Sequence, residues 1–250
     1  SAAVWSAESD SSVFSVMCNR FQGMRPPDGM AGAQYSPWSL ENKIHEGAEA
    51  VVFKGEWLGN PAVLKLRKPK GYRHPHLDKR LTKSRMAVEA RALSRLQKRS
   101  FPSPSLLHID NQDSLIIISE IDGSTLFEVM TSGQLKDGML HRVGETIRRM
   151  HELGVSHGDL TSHNIMVDEQ GVVSLIDFGL AKISPELENL GQDLQVLNEC
   201  LTASHSDYPG SIEEVVSGYS SLRNNASEIS DPTEVIRRFD EIRNRVRYLG

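Results

Sequence analysis

Residues 157–164 read HGDLTSHN, and Asp177, thirteen positions beyond Asn164, opens the run DFG of the tetrad IDFG at 176–179. The octet holds a carboxylate, Asp159, and a carboxamide, Asn164, five residues apart, and the tetrad adds a second carboxylate. Between them, Ile165–Val167 and Val172–Ile176 flank the turn Asp168-Glu169-Gln170-Gly171 and predict a short hairpin. Octet and tetrad therefore leave that hairpin at the same edge, where loops can converge on one ligand. One carboxylate can orient a hydroxyl or a water, while the other carboxylate and the amide oxygen are hard ligands suited to Mg²⁺. Gly179 relieves the backbone beside the metal ligand.

Working outward, Leu40–His45, Ala50–Trp57 and Ala62–Leu66 are short, β-branched or aromatic runs separated by Gly-containing turns, and they predict an antiparallel meander. Lys65 ends the strand segment Ala62-Val63-Leu64-Lys65, where a lysine can contact nucleotide phosphates if an acid holds its stem. Glu89 is the natural acid: within the predicted helix Leu81–Lys98 it has apolar neighbours at helical spacing. Leu106–Ile109 and Leu115–Glu120 predict two further strands. After Asp122-Gly123 the pattern turns helical, with Leu135–Leu153 the clearest amphipathic stretch and further helices near 186–201, 211–222 and 232–248. The expected organisation is a flexible tail over 1–37, a small antiparallel β lobe with one long helix over 38–122, and a helical lobe over 123–250, with a cleft between the lobes. The fold class is α+β.

Composition bounds the function. The chain has 250 residues, 38% hydrophobic and 24% charged, as expected of a globular domain. Its longest aliphatic run, Leu115–Ile118, is far short of the ~20 residues of a membrane span. Cys18 and Cys200 form neither a disulfide framework nor a CxxC pair, which points to a reducing, intracellular compartment. The nine histidines show no zinc-ligand spacing. A net charge of −5 conceals a basic window: residues 65–99 hold thirteen Lys/Arg against two acids, a net of +11. Such a window is either a solvated helix face or a surface for nucleotide, RNA or an acidic partner.

AVLK at 62–65, HGDLTSHN and IDFG resemble the protein-kinase signature set and occur in its order. Three departures matter. Gly158 stands where the arginine of an HRD motif would hold a loop phosphate. Only sixteen positions lead from Asp177 to Asp193, with no APE motif and no room for an extended activation segment. The nucleotide-covering turn, IHEGAEAVV at 44–52, has one glycine, and an acidic residue at its phosphate end calls for a neutralising partner that the basic window could supply.

Taken together, EGAEAVVFKG, KGYRHPHLDKRLTKSRMAVEAR, HGDLTSHNIM and IDFGLA resemble the small atypical kinase of the KEOPS/EKC complex, the PRPK-type family, over essentially residues 40–250. The resemblance implies a bilobal kinase fold, use of ATP and Mg²⁺, and autophosphorylation on Ser/Thr. It implies partners: a tRNA threonylcarbamoyl-transferring subunit of ATPase fold, a small kinase-binding subunit, and tRNA through the complex. It implies work in cytoplasm and nucleus, with no membrane. By the same likeness Lys65 is the ATP lysine, Asp159 the catalytic aspartate, and Asn164 and Asp177 the metal ligands. Ile44, Gly47, Ala48, Glu49, Ala50, Val52, Glu120 and Ile121 are then nucleotide-binding. The terminus IRNRVRYLG is less basic than the family's tail. Other readings are a stand-alone Ser/Thr kinase for acidic proteins, a small-molecule phosphotransferase (disfavoured by IDFG and the YRHP segment), and a non-catalytic nucleotide-binding RNA scaffold.

Overall fold

A computed structural model describes residues 37–47, 50–68, 74–222 and 231–249. The expected tail, apart from Pro37, lies outside the described residues, as do Ala48, Glu49 and the Tyr72-Arg73 of the YRHP segment. Contacts divide the chain into two units: residues up to Thr82 with Leu106–Glu120, and Lys83–Ser105 with the residues from Ile121 onward.

The first unit is built on one antiparallel sheet of β1 (Trp38–Glu46), β2 (Ala50–Trp57), β3 (Asn60–Arg67), β4 (Leu106–Asp110) and β5 (Leu115–Ser119), in the order β1-β2-β3-β5-β4. Alternation along β2 and β3 decides its faces. Val51, Phe53, Ala62 and Leu64 turn to one side and join Trp38, Trp57, Leu115 and Ile117 in a buried cluster. Each large side chain there contributes about 1.5–3 kcal/mol by leaving water. The residues between them, Val52, Val63 and Lys65, occupy the opposite face, and Lys65 stands opposite Val52 on β2 and Ile116 on β5.

Helix α1 (Pro75–Gln97) is shared, its residues from Lys83 onward grouping with the second unit. It begins six residues before the predicted Leu81. Its first turn carries helix-start signals rather than apolar periodicity, namely Pro75 at its head and Asp78 within the turn. Met86, Glu89, Leu93 and Leu96 form its buried stripe.

The second unit adds α2 (Leu126–Thr131), α3 (Met139–Glu152), α4 (Leu187–Ser204), α5 (Ser211–Ser221) and α6 (Pro232–Leu249). Three short strands, β6 (Ser124–Thr125), β8 (Ile165–Val167) and β9 (Val173–Leu175), form a small sheet, and β7 (Val155–Ser156) pairs with β10 (Lys182–Ile183). The expected hairpin is β8–β9. Helix α3 starts at Met139 rather than Leu135 because Gly138, at φ 73°, breaks the backbone just before it. Helices α3 and α5 approach backbone to backbone: a Cβ on Gly144 would lie 1.9 Å from the Val215 carbonyl oxygen, and one on Gly218 1.9 Å from that of His141. Among the described residues, no helix is long and apolar enough to cross a membrane. The α+β class expected from sequence is the class observed.

Candidate active site

The octet runs from the end of β7 through a single 3₁₀ turn, Ser162–Asn164, into β8. Two residues fix its path. The His157 ring, fully buried, donates from Nε2 to the Ile176 carbonyl (2.9 Å) and accepts the Asp159 N–H at Nδ1 (3.3 Å). A carbonyl can only accept and an amide N–H can only donate, so the two ring nitrogens are assigned by their partners. Asp193 of α4, 1% exposed, accepts the backbone N–H of His157 (2.6 Å) and of Gly158 (2.8 Å) on its two oxygens.

Asn164 closes the loop on itself. Its amide nitrogen donates to the Asp159 carbonyl (2.8 Å) and to Asp159 Oδ2 (3.3 Å), so Oδ1 is what Asn164 can offer a cation. Its backbone carbonyl accepts the Ile176 N–H (3.0 Å). Ile176 is thus bonded to both His157 and Asn164, and Asp177 is the next residue. Asp177 adopts φ 63°, a left-handed conformation uncommon for a residue with a side chain, and such local strain is characteristic of functional sites. The structure therefore gathers Asp159, Asn164 and Asp177 onto neighbouring, cross-linked backbone. Asp159 is exposed and Asp177 half-buried.

Gly158 has a reason. Its φ is 79°, and a Cβ there would lie 2.2 Å from the Leu180 carbonyl oxygen. The arginine of an HRD motif does not fit this loop without moving the chain. The segment from Asp177 to α4 is equally spare: residues 178–186 hold only β10 and its turns.

Beneath the loop, Ser162 is fully buried, its N–H directed at Cys200 Sγ (3.4 Å) and its hydroxyl 3.0 Å from His205 Nε2. Burial, and secondarily the charge of His163, lowers the His205 pKa and favours the neutral ring. The exposed His163 stacks on Phe127 of α2 with ring centroids 4.1 Å apart.

Among the described residues no cluster of three or more His, Cys, Asp or Glu stands ready to hold a metal. One carboxylate, Asp177, and one amide oxygen, Asn164 Oδ1, fit the alternative. Mg²⁺ takes one or two carboxylates from protein and completes its shell with phosphate oxygens and water. The donor set therefore suits Mg²⁺ delivered with a nucleotide.

In the sheet unit, Gly47 N–H donates to the Ala50 carbonyl (2.9 Å), while Ala48 and Glu49 between them lie outside the described residues. Ile44 is half exposed, and Ala50 and Val52 lie half-buried on β2. Glu46, at the end of β1, pairs with Lys68 and with Lys43 (3.0 Å). These hydrogen bonds, Lys68 first, lower its pKa to about 2. Lys54 holds Glu120 (2.7 Å), whose N–H bonds the Pro61 carbonyl (3.2 Å). In the helical unit Glu89 is 1% exposed and Ile121 half-buried.

Sequence reasoning passed over Asp193, His151 and Tyr219. Asp193 carried a signal: it sits on α4 among Leu190, Leu194 and Leu197 at helical spacing, the same pattern that singled out Glu89.

The chain matches the model of the lipopolysaccharide kinase (Kdo/WaaP) family over residues 66–219. With the loop just described, that defines a protein-kinase-like chain. It is 33% identical to the EKC/KEOPS complex subunit Tp53rkb of Mus musculus, covering 82% of this chain and 86% of that protein. It is 32% identical to the EKC/KEOPS complex subunit bud32 of Emericella nidulans, covering 74% and 83%. The chain belongs to this family of kinase-like EKC/KEOPS subunits. It is also 34% identical to the probable bifunctional tRNA threonylcarbamoyladenosine biosynthesis protein of Methanothermobacter thermautotrophicus, of whose length it spans 36%.

Proposed function

We propose that this chain is a Mg-ATP-dependent atypical Ser/Thr kinase and ATPase that works as a KEOPS/EKC subunit and supports threonylcarbamoyladenosine modification of tRNA. The observation that carries the catalytic half is the cross-linked loop: Asp159 bonded to Asn164, and Ile176, beside Asp177, bonded to both Asn164 and His157. The assembly half rests on the names of the relatives.

In this reading the organisation is one kinase-like domain of two lobes, 38–122 and 123–250. Asp159 orients the attacking hydroxyl or water and receives its proton, while Asn164 and Asp177 hold Mg²⁺. The ion would neutralise charge on the transferring phosphate. Lys65 serves as the phosphate lysine and Glu89 as the carboxylate that steadies it. Ile44, Gly47, Ala48, Glu49, Ala50, Val52, Glu120 and Ile121 contact the nucleotide. Partners are the threonylcarbamoyl-transferring subunit of ATPase fold, a small kinase-binding subunit, and tRNA through the complex, in cytoplasm and nucleus.

The brevity of residues 178–186 favours hydrolysis, or phosphorylation within the assembly, over recognition of free peptides, because a peptide-docking segment has no place to stand. Charge favours a polyanionic partner: both acids of α1, Asp78 and Glu89, are buried, whereas Lys79, Arg80, Lys83, Arg91 and Arg95 are exposed.

ATP hydrolysis measured alone, with the partner subunit, and with tRNA, beside Asp159→Ala, tests the proposal. Turnover rises with partner and tRNA, and the variant loses about 10²–10⁴-fold, the worth of a positioned acid–base group. Equal turnover in the variant would remove the catalytic half.

A further inference from the structure

A polar chain runs away from the loop into the helical unit, buried as far as Arg148. His151 of α3, fully buried, places Nε2 3.1 Å from Asp193 Oδ2 and Nδ1 2.8 Å from the Tyr219 hydroxyl of α5. Tyr219 is likewise fully buried. Arg148, 1% exposed, hydrogen-bonds that hydroxyl, lies 5.5 Å above the tyrosine ring, and pairs through Nε with Glu152 (3.0 Å). The close helix approach at Gly144 and Gly218 is what lets a side chain on α5 reach a ring on α3.

The carboxylate sets the directions. Asp193 only accepts, so His151 Nε2 carries the proton that faces it, and a neutral ring then offers a bare Nδ1 to the Tyr219 hydroxyl, whose oxygen accepts from the donor-only Arg148 guanidinium. The carboxylate, acceptor only, collects that proton's bond together with the N–H groups of His157 and Gly158. Burial raises the Tyr219 pKa well above its ordinary range, so the hydroxyl keeps the proton it donates.

We propose that Arg148, Tyr219 and His151 form a one-way hydrogen-bond relay that holds Asp193 in the single orientation the loop requires, making Tyr219 and Arg148 positioning residues for the reaction at Asp159. The assignment of a reaction rests on the ATP-dependent reading above; the relay itself does not. Apolar side chains of the same volume commonly stabilise a core as well as a buried ionic group does. A buried chain with every donor and acceptor satisfied, ending on the backbone of the loop, serves orientation instead.

Nitrogen NMR of the His151 ring in the wild-type chain is the first test. The relay requires a protonated Nε2 and a bare Nδ1, and a proton on Nδ1 overturns it whatever the activity. Tyr219→Phe keeps the ring and removes the donor. Its His151 ring keeps the Nε2 proton on Asp193 while Nδ1 loses its donor, so the Nδ1 resonance moves toward that of a ring nitrogen accepting no hydrogen bond, and the His157 and Gly158 amides exchange about tenfold faster. Its kcat for ATP falls about tenfold with KM within about twofold. Unchanged amide exchange and unchanged kcat in that variant overturn the relay. If the wild-type chain turns over no ATP, the proposed function fails while the ring and exchange measurements still decide the relay.

Discussion

The charged groups around Glu46 and Glu120 in the sheet unit and those behind the HGDLTSHN loop of the helical unit are held in opposite ways. In the sheet unit, Glu46 with Lys43 and Lys68, and Lys54 with Glu120, are ion pairs open to water, each group about a fifth to a half exposed. In the helical unit, Asp193, His151 and Arg148 are each 1% exposed or less and are bonded at every oxygen or nitrogen that the loop depends on. Exposed pairs contribute about 0–1 kcal/mol and can be remade in several geometries. A buried acid is costly to desolvate and stable only in the one arrangement that satisfies it. The difference suits the proposed division of labour: adjustable contacts around a nucleotide that enters and leaves, and a fixed frame for the loop that reacts.

Asp193→Ala is the strongest attempt on that contrast. It leaves two backbone N–H groups and the His151 ring without their acceptor inside the protein, and the expected loss is about 3–5 kcal/mol of unfolding free energy. Urea denaturation measures it. A loss below about 1 kcal/mol would put Asp193 in the same class as the exposed pairs and erase the contrast.

Much of this frame was legible in the sequence where a repeating pattern or a paired motif announced it. The alternation of AVVFKGEW made β2, the HGDLTSHN and IDFG pair made the loop and its hairpin, and the i, i+3, i+7 stripe of α1 placed Glu89 inside. What escaped did so for separate reasons. Strands β7 and β10 have two residues each, too short for any period to show, and they exist only because the chain around the loop brings them side by side. Helix α2 did have a signal, the capping box Thr125-x-x-Glu128, which the structure forms with Glu128 N–H to Thr125 Oγ1 at 3.1 Å. The start of α3 was misplaced because Leu135 lengthens the apolar stripe by one turn, while Gly138 stops the helix from following it. The relay was illegible for a different reason: His151 and Tyr219 lie 68 residues apart, and nothing local in either helix names the other.

Gly158→Arg sharpens the contrast at the place where the sequence departs furthest from a phosphate-reading HRD loop. Restoring the arginine forces a side chain into φ 79° and onto the Leu180 carbonyl. Strain plus overpacking predicts a loss of about 2–3 kcal/mol, smaller than that of Asp193→Ala because the loop can shift outward into solvent. Thermal unfolding reports it. A variant as stable as the wild type would show the loop to be pliable, against the view that Asp193 and His157 lock it.

The smallest effect comes from the sheet unit, and its sign is set by the direction of the Glu46 shift. Lys68 and Lys43 lower this carboxyl from an ordinary 4.5 to about 2. A depressed pKa means that the folded state binds the proton less readily than the unfolded one. The contribution is therefore complete above pH 4.5 and is lost as pH falls through 2. Because Glu46 is open to solvent, salt screens its partners, and the carboxyl should titrate progressively closer to 4.5 as ionic strength rises toward about 1 M. Carbon NMR of the Glu46 carboxyl at low and high salt reads this directly, with Glu46→Gln identifying the resonance. A midpoint near 2 that ignored salt would mean a pair as rigid as those around Asp193, and a midpoint near 4.5 at low salt would mean that the lysines do not hold it in solution. Only the salt-dependent shift leaves Glu46 as the contrast needs it, a surface carboxylate whose partners solvent and ions can replace.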